Sequence, residues 1–136
     1  MNEPKTDAVG TVLEFLARIN GHDADRLAEG MTDDHEFVDA LGQAVRGRGA
    51  VQMGWRGYFA MCPDYEVAHE EIFVRGDMVA VFGTAGGTIA AGNELPEANR
   101  WRIRAAWLAQ VRDGKIRAWR VYADNKPVYD ILARSR

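Results

Sequence analysis

The feature that most limits how this chain can fold is a change of hydrophobic period along it. From Thr6 to Asn20 the apolar residues Val9, Val12, Leu13, Leu16 and Ile19 recur at steps of three and four, which is one face of an amphipathic helix. In the second half the step drops to two. "WRIRAAWLAQVRDGKIRAWRVYAD" alternates through Trp101, Ile103, Ala105, Trp107, Ala109 and Val111, turns at Asp113-Gly114, and runs on from Ile116 to Ala123. An Asp-Gly pair between alternating runs predicts a β-hairpin. "EVAHEEIFVRGDMVAVFGTAGGTI" repeats the device around Gly76, and the glycines of "GTAGGTIAAGN" suit a bent or bulged strand.

Between these regimes, "NGHD" ends the first helix and Asp23 can cap a short second one through Leu27 and Ala28. "HEFVDALG" reads as a strand. "GRGAVQMGWRGYFAMCPDY" spaces Val51, Trp55, Tyr58, Phe59 and Cys62 as a third helix that stops at Pro63. Asp124 or Asn125 can cap a terminal helix with Pro127 in its first turn and Val128, Ile131 and Leu132 facing inward. Helices first and antiparallel strands afterwards make an α+β chain. The expected form is a curved antiparallel sheet wrapped around three N-terminal helices as a cone with one open end, plus a short C-terminal helix.

A chain of 136 residues is the size of one domain, 1–136, and its 47% hydrophobic and 27% charged residues with a net charge of −3 describe an ordinary globular protein. That balance argues against nucleic acid as a partner, which calls for a basic domain or stripe. Arg100, Arg102 and Arg104 alternate along one strand, either as a solvated or dimer-facing row or with one of them reaching a ligand. The lone Cys62 allows no intramolecular disulfide, and "MNEPKTDAVGTV" lacks the positive start and apolar run of a signal peptide. Apolar runs such as Met78–Phe82 are too short to span a bilayer. The expectation is a cytoplasmic protein away from membranes.

Motifs for metal, phosphate and nucleophile chemistry are missing. His22, His35 and His69 lie far apart, no glycine-rich run has the form of a phosphate cradle, and neither Cys62 nor Ser135 sits in a nucleophile elbow. No metal or cofactor is therefore expected. Aromatic residues are the richer signal: Trp55, Trp107, Trp119 and Tyr122 fall on inward-compatible faces, either as plain core or as the wall of a ligand cavity. Alternation places His35, Phe37 and Asp39 on one face of the first strand. Asp39 is then either a surface or turn carboxylate before "ALG", or a carboxylate in an apolar cavity, where desolvation raises a pKa toward the range of a general base.

The order of elements, with "INGHDADRLAEGMTDDHEFVDALG", "RGRGAVQMGWRGYF" and "DGKIRAWRVYAD", resembles the SnoaL-like branch of the nuclear-transport-factor-2-like superfamily from about Val9 to Tyr129. The resemblance implies a cone-shaped fold, a homodimer formed through the sheet and a deep pocket at the wide end. It also implies a role for Asp39, which stands where ketosteroid isomerase carries its catalytic base. The oxyanion-hole positions of that enzyme match Phe15 and Trp107 here, and its supporting tyrosines match Met31 and Trp55, so steroid isomerisation loses its hydrogen-bond donors. The carboxylates of limonene epoxide hydrolase are likewise missing, with Val121 at the first position and only Arg102 and Arg104 in "RIRAAW". The shape that remains is similar to the polyketide-cyclase-like members.

These readings converge on a cofactor-free enzyme for a small, largely apolar or aromatic molecule. Asp39 would act as general acid/base in an isomerase, cyclase or lyase reaction. Phe15, Trp55, Trp107, Trp119 and Tyr122 would shape the pocket, Tyr58 would donate a hydrogen bond, and Arg104 would reach the ligand. The alternative is a non-catalytic binding or scaffold module with a vestigial pocket. An outer sheet face carrying Trp101, Ile103 and Leu108 would need the cover of a second subunit.

Overall fold

The computed structural model of the protein describes residues 7–134, so Thr6 and Ser135 lie outside the described residues. Helix α1 (Ala8–Asn20) buries Val12, Phe15, Leu16 and Ile19 on one stripe, as its spacing requires. Helix α2 (Ala24–Ala28) begins at Asp23, whose Oδ1 accepts the N–H groups of Asp25 and Arg26 at 3.0 and 3.1 Å. Helix α3 (Arg48–Met61) buries Val51, Trp55 and Phe59 and ends before Cys62-Pro63, where the proline disfavours a helical conformation in its predecessor. Helix α4 (Lys126–Arg134) buries Val128 and Ile131. Asp124 Oδ1 accepts the N–H of Lys126 at 3.0 Å, and the Asn125 carbonyl takes the first helical bond from Tyr129.

Six strands make one curved sheet: β1 (Met31–Val38), β2 (Ala44–Arg46), β3 (Glu66–Arg75), β4 (Met78–Thr88), β5 (Arg100–Arg112) and β6 (Lys115–Ala123), in the order β2-β1-β6-β5-β4-β3. The β5–β6 turn has positive φ at both Asp113 (53°) and Gly114 (76°), the type I′ pattern that Asp-Gly favours. The expectation of an antiparallel sheet needs correction at one seam, because β1 and β6 run parallel and the sheet is mixed. Alternation tells which residues share a face and says nothing about the direction of a partner so distant in sequence. Strand β2 was also unforeseen; it is three exposed residues with no inward stripe to read.

The same seam carries an irregularity. Met31 pairs with Ile116 and Glu36 with Ala118, so β1 holds extra residues against β6. Such an excursion frees backbone groups that must find partners. His35, fully buried, fills the gap: its Nδ1 donates to the Ile116 carbonyl at 2.7 Å. A carbonyl only accepts, so this fixes the Nδ1–H tautomer and leaves Nε2 as a buried acceptor without a partner among the described residues. Desolvation dominates and pushes the His35 pKa below the usual histidine range, against the bond to Ile116, which works to raise it.

Curvature comes from the other side of the sheet. The β3–β4 register slips between His69 and Glu71, opposite Phe82 and Gly83. A Cβ on Gly83 would stand 1.8 Å from the carbonyl oxygen of Ala68, so only glycine permits this approach. The concave face presents Val79 and Val81 from β4, and Trp101, Ala105, Trp107, Ala109 and Val111 from β5, to the three helices as one buried cluster.

Two outcomes follow for folding. Gly83→Ala is expected to lower stability by about 1–3 kcal/mol, whereas Gly57→Ala on the exposed side of α3, where nothing crowds the new methyl, raises it by about 0.5–1 kcal/mol; urea denaturation checks both. For His35, the unfolded chain binds the proton more tightly than the folded one, so stability falls as pH drops below the ordinary histidine value of about 6.5 and is unaffected above it. Urea midpoints measured from pH 7.5 to 5.5 should decline, and His35→Gln, less stable at neutral pH, should lose that part of the slope.

Candidate functional site

A cavity of about 300 Å³ opens between the end of β1, α3 and strands β5 and β6. Each wall follows from a local pattern. Val51, Gly54, Trp55 and Tyr58 stand at helical spacing on the inner face of α3. Trp107 and Val121 are directly paired across β5 and β6, and Trp119 is paired with Phe37 across the parallel seam. Ala40 and Val45 close the side at the β1–β2 hairpin, and Asn125 closes the end where α4 begins.

The aromatic rings hold one another. Trp107 and Trp119 stack with centroids 6.3 Å apart and 24° between planes. Trp55 meets Phe37 edge-on at 6.0 Å and Tyr58 edge-on at 6.2 Å, and Tyr58 meets Tyr65 at 4.9 Å. Such mutual contacts leave little freedom for the rings to collapse into the space they surround.

Three lining residues carry polar side chains. Asp39 is half-buried, and it stands both in a turn and at the cavity wall. It is a turn residue, because Oδ1 accepts the backbone N–H groups of Leu41 and Gln43 at 2.9 Å each. It also lines the cavity, with Oδ2 taking neither of those bonds. Tyr58 is largely buried, and desolvation, reinforced by Tyr65 and Cys62, pushes its phenol pKa well above the usual tyrosine range. Its hydroxyl is therefore a proton-bearing donor throughout the neutral range. The Asn125 side chain is the third, and neither it nor the Tyr58 hydroxyl has a hydrogen-bond partner among the described residues.

Of the residues singled out from sequence, Asp39, Trp55, Tyr58, Trp107 and Trp119 meet in this cavity. Three others are elsewhere. Phe15 lies behind the wall, 4.8 Å from the Trp119 ring and 1% exposed, where it supports that ring. Tyr122 is 54% exposed on the outer face of β6, paired with Ala106, and Arg104 is exposed opposite Thr84. Both fell out because strand alternation sends neighbours of inward residues outward. Trp101 moves the other way: it is buried in the core rather than on the outer face. Sequence reading missed Asn125 as a lining residue, since its cap position explained it already, and missed Val45 together with β2. The signal for β2 was Gly42, whose φ of +85° closes the hairpin.

Cys62, buried against Asp64, has its thiol raised to about 11, chiefly by desolvation, and is inert as a nucleophile. Among the described residues no group of three or more His, Cys, Asp or Glu is placed to hold a metal ion, and no helix is long and apolar enough to cross a membrane.

Residues 12–119 match the SnoaL-like domain, and the chain belongs to that family. The chain is similar throughout to solved structures. One, from Jannaschia and described as a SnoaL-like polyketide cyclase, is 22% identical with a TM-score of 0.80, over 98% of this chain and 97% of the other. A protein of ketosteroid isomerase-like fold from Catenulispora acidiphila, solved in complex with trimethylamine, is 22% identical with a TM-score of 0.76, over 98% and 94%. An LEH-like epoxide hydrolase from M. tuberculosis is 23% identical with a TM-score of 0.76, over 96% and 92%. At these identities the likeness establishes the fold, a nuclear-transport-factor-2-like cone. No protein of curated description matches the chain.

Proposed function

We propose that the chain, as one SnoaL-like domain, is a cofactor-free enzyme that binds a small, largely apolar or aromatic molecule and moves a proton on it with Asp39 as general acid/base. The carrying observation is one carboxylate at an aromatic wall with two unbonded polar side chains, Tyr58 and Asn125, lining the same cavity. An isomerase, cyclase or lyase step needs little more: a base beside the proton to be removed, and a donor beside the oxygen where charge develops. Tyr58 is suited to the second task because its phenol stays protonated. Trp55, Trp107 and Trp119 exclude water and orient the substrate.

A second reading, a non-catalytic binding module, is favoured by the two backbone bonds to Asp39 Oδ1, which alone account for an Asp at this turn. The two readings separate at one substitution. Asparagine keeps the Oδ1 acceptor and removes the base, so Asp39→Asn should fold normally and keep the cavity. Deuterium exchange into candidate carbon acids, followed by NMR, should then slow by about 10²-fold or more, and Tyr58→Phe should slow it by at least about tenfold. Unchanged exchange in Asp39→Asn would leave the binding module standing.

The family resemblance further supports a homodimer formed through the outer sheet face, and the lone cysteine fits the cytoplasm. Phe73 and Phe82 are 59% and 45% exposed there, edge-on at 6.0 Å, in one apolar patch beside Tyr122. Sedimentation should find the native chain dimeric and Phe82→Arg monomeric.

A further inference from the structure

We infer that the ligand of this cavity carries a substituted ammonium group, held between the aromatic rings and Asp39. The inference rests on reading the cavity as the ligand site and concerns binding, not the proton transfer.

The argument begins with where the positive charges of this chain go. Along β1, each acidic residue has an arginine: Asp33 holds Arg48 at 2.9 Å, Asp34 holds Arg112 and Arg117, and Glu36 holds Arg46 at 2.9 Å. Asp39, one residue past the strand, holds none among the described residues. Asp39 is half-buried on an apolar wall and has no cation beside it among the described residues. The described residues provide two N–H dipoles to Oδ1 and no cation. Among the described residues no Lys, Arg or His lines the cavity, so a cationic ligand would bring the counter-charge that Asp39 lacks there.

The remaining walls fit the same chemistry. Phe37, Trp55, Tyr58, Trp107 and Trp119 surround the space, and tryptophan faces are the best partners for an alkylated ammonium, which sheds water at lower cost than a primary amine and is attracted to the ring quadrupole within about 6 Å. An anionic ligand would find the Tyr58 and Asn125 donors but would be repelled by Asp39 and by the ring faces, with no cation to offset that repulsion. A neutral ligand of the same shape gains apolar contact but leaves the carboxylate without its partner.

Three probes of nearly one shape test this with the intact protein: choline, dimethylbutanol, in which carbon replaces the nitrogen, and the anion dimethylbutyrate. Binding is read by calorimetry and by quenching of the tryptophan fluorescence. Choline is expected to bind about tenfold tighter than dimethylbutanol, with dimethylbutyrate weakest. Asp39→Asn should reduce the choline preference to less than about threefold while dimethylbutanol still binds, which shows that the cavity is intact. Equal binding of choline and dimethylbutanol, preference for the anion, no binding of choline, or full selectivity in Asp39→Asn would each overturn the inference. Failure of the acid/base reading looks different: unchanged proton exchange in Asp39→Asn with cation selectivity lost on the same substitution.

Discussion

The hydrogen bond from His35 Nδ1 to the Ile116 carbonyl stands at the seam on which the cavity depends. Strand β1 carries Phe37 and leads to Asp39; β6 carries Trp119 and Val121 and leads to Asn125. The two strands meet in parallel with an irregular register, where the excursion interrupts the regular ladder and backbone groups need other partners. A neutral, buried imidazole restores the missing bond without bringing charge into the core. The cost is an unpartnered Nε2, tolerable because an imidazole acceptor is a weaker loss than an orphaned peptide group. Phe15 packs against both His35 and Trp119, so the seam and the cavity wall share one support.

From that seam the division of labour in the molecule follows. Helix α1 packs against β3, β4, β5 and β6, whereas α3 turns Val51, Trp55 and Tyr58 toward the cavity. The rings are large and rigid, and they brace one another edge-on rather than reaching across the gap. Space therefore persists among them. Asp39 joins the two kinds of structure, because the turn that needs its Oδ1 is the turn that places the carboxylate beside Trp119 and Tyr58. The turn and the cavity wall here share one residue.

The helices, the two long hairpins and most inward faces were legible from sequence, since helical and strand periods are local and strong. Asp23 as a cap, Asp113-Gly114 as a turn, and Phe37 with Asp39 on a shared surface all depend on neighbours a few residues away. Part of the candidate site was legible for the same reason. Tyr122 was read as lying on an inward-compatible face and Arg104 as a member of a row that could reach the ligand, but strand alternation places both on the outer face. Phe15 was assigned through a matched position, but the larger Trp119 stands between it and the open space, so the same fold position lies behind the wall here.

By itself the sequence determined the α+β class, the three leading helices, the hairpins, and an inward row of aromatics with one carboxylate at its end, because each of these is written in spacing. Only the tertiary structure decided that β1 joins β6 in parallel, that His35 is a sealing group rather than a ligand, that Asn125 reaches the cavity, and that Asp39 has no arginine beside it among the described residues. Those facts depend on which distant segments meet. A charge's partners and a cavity's contents are properties of the assembled surface, and no local period encodes them.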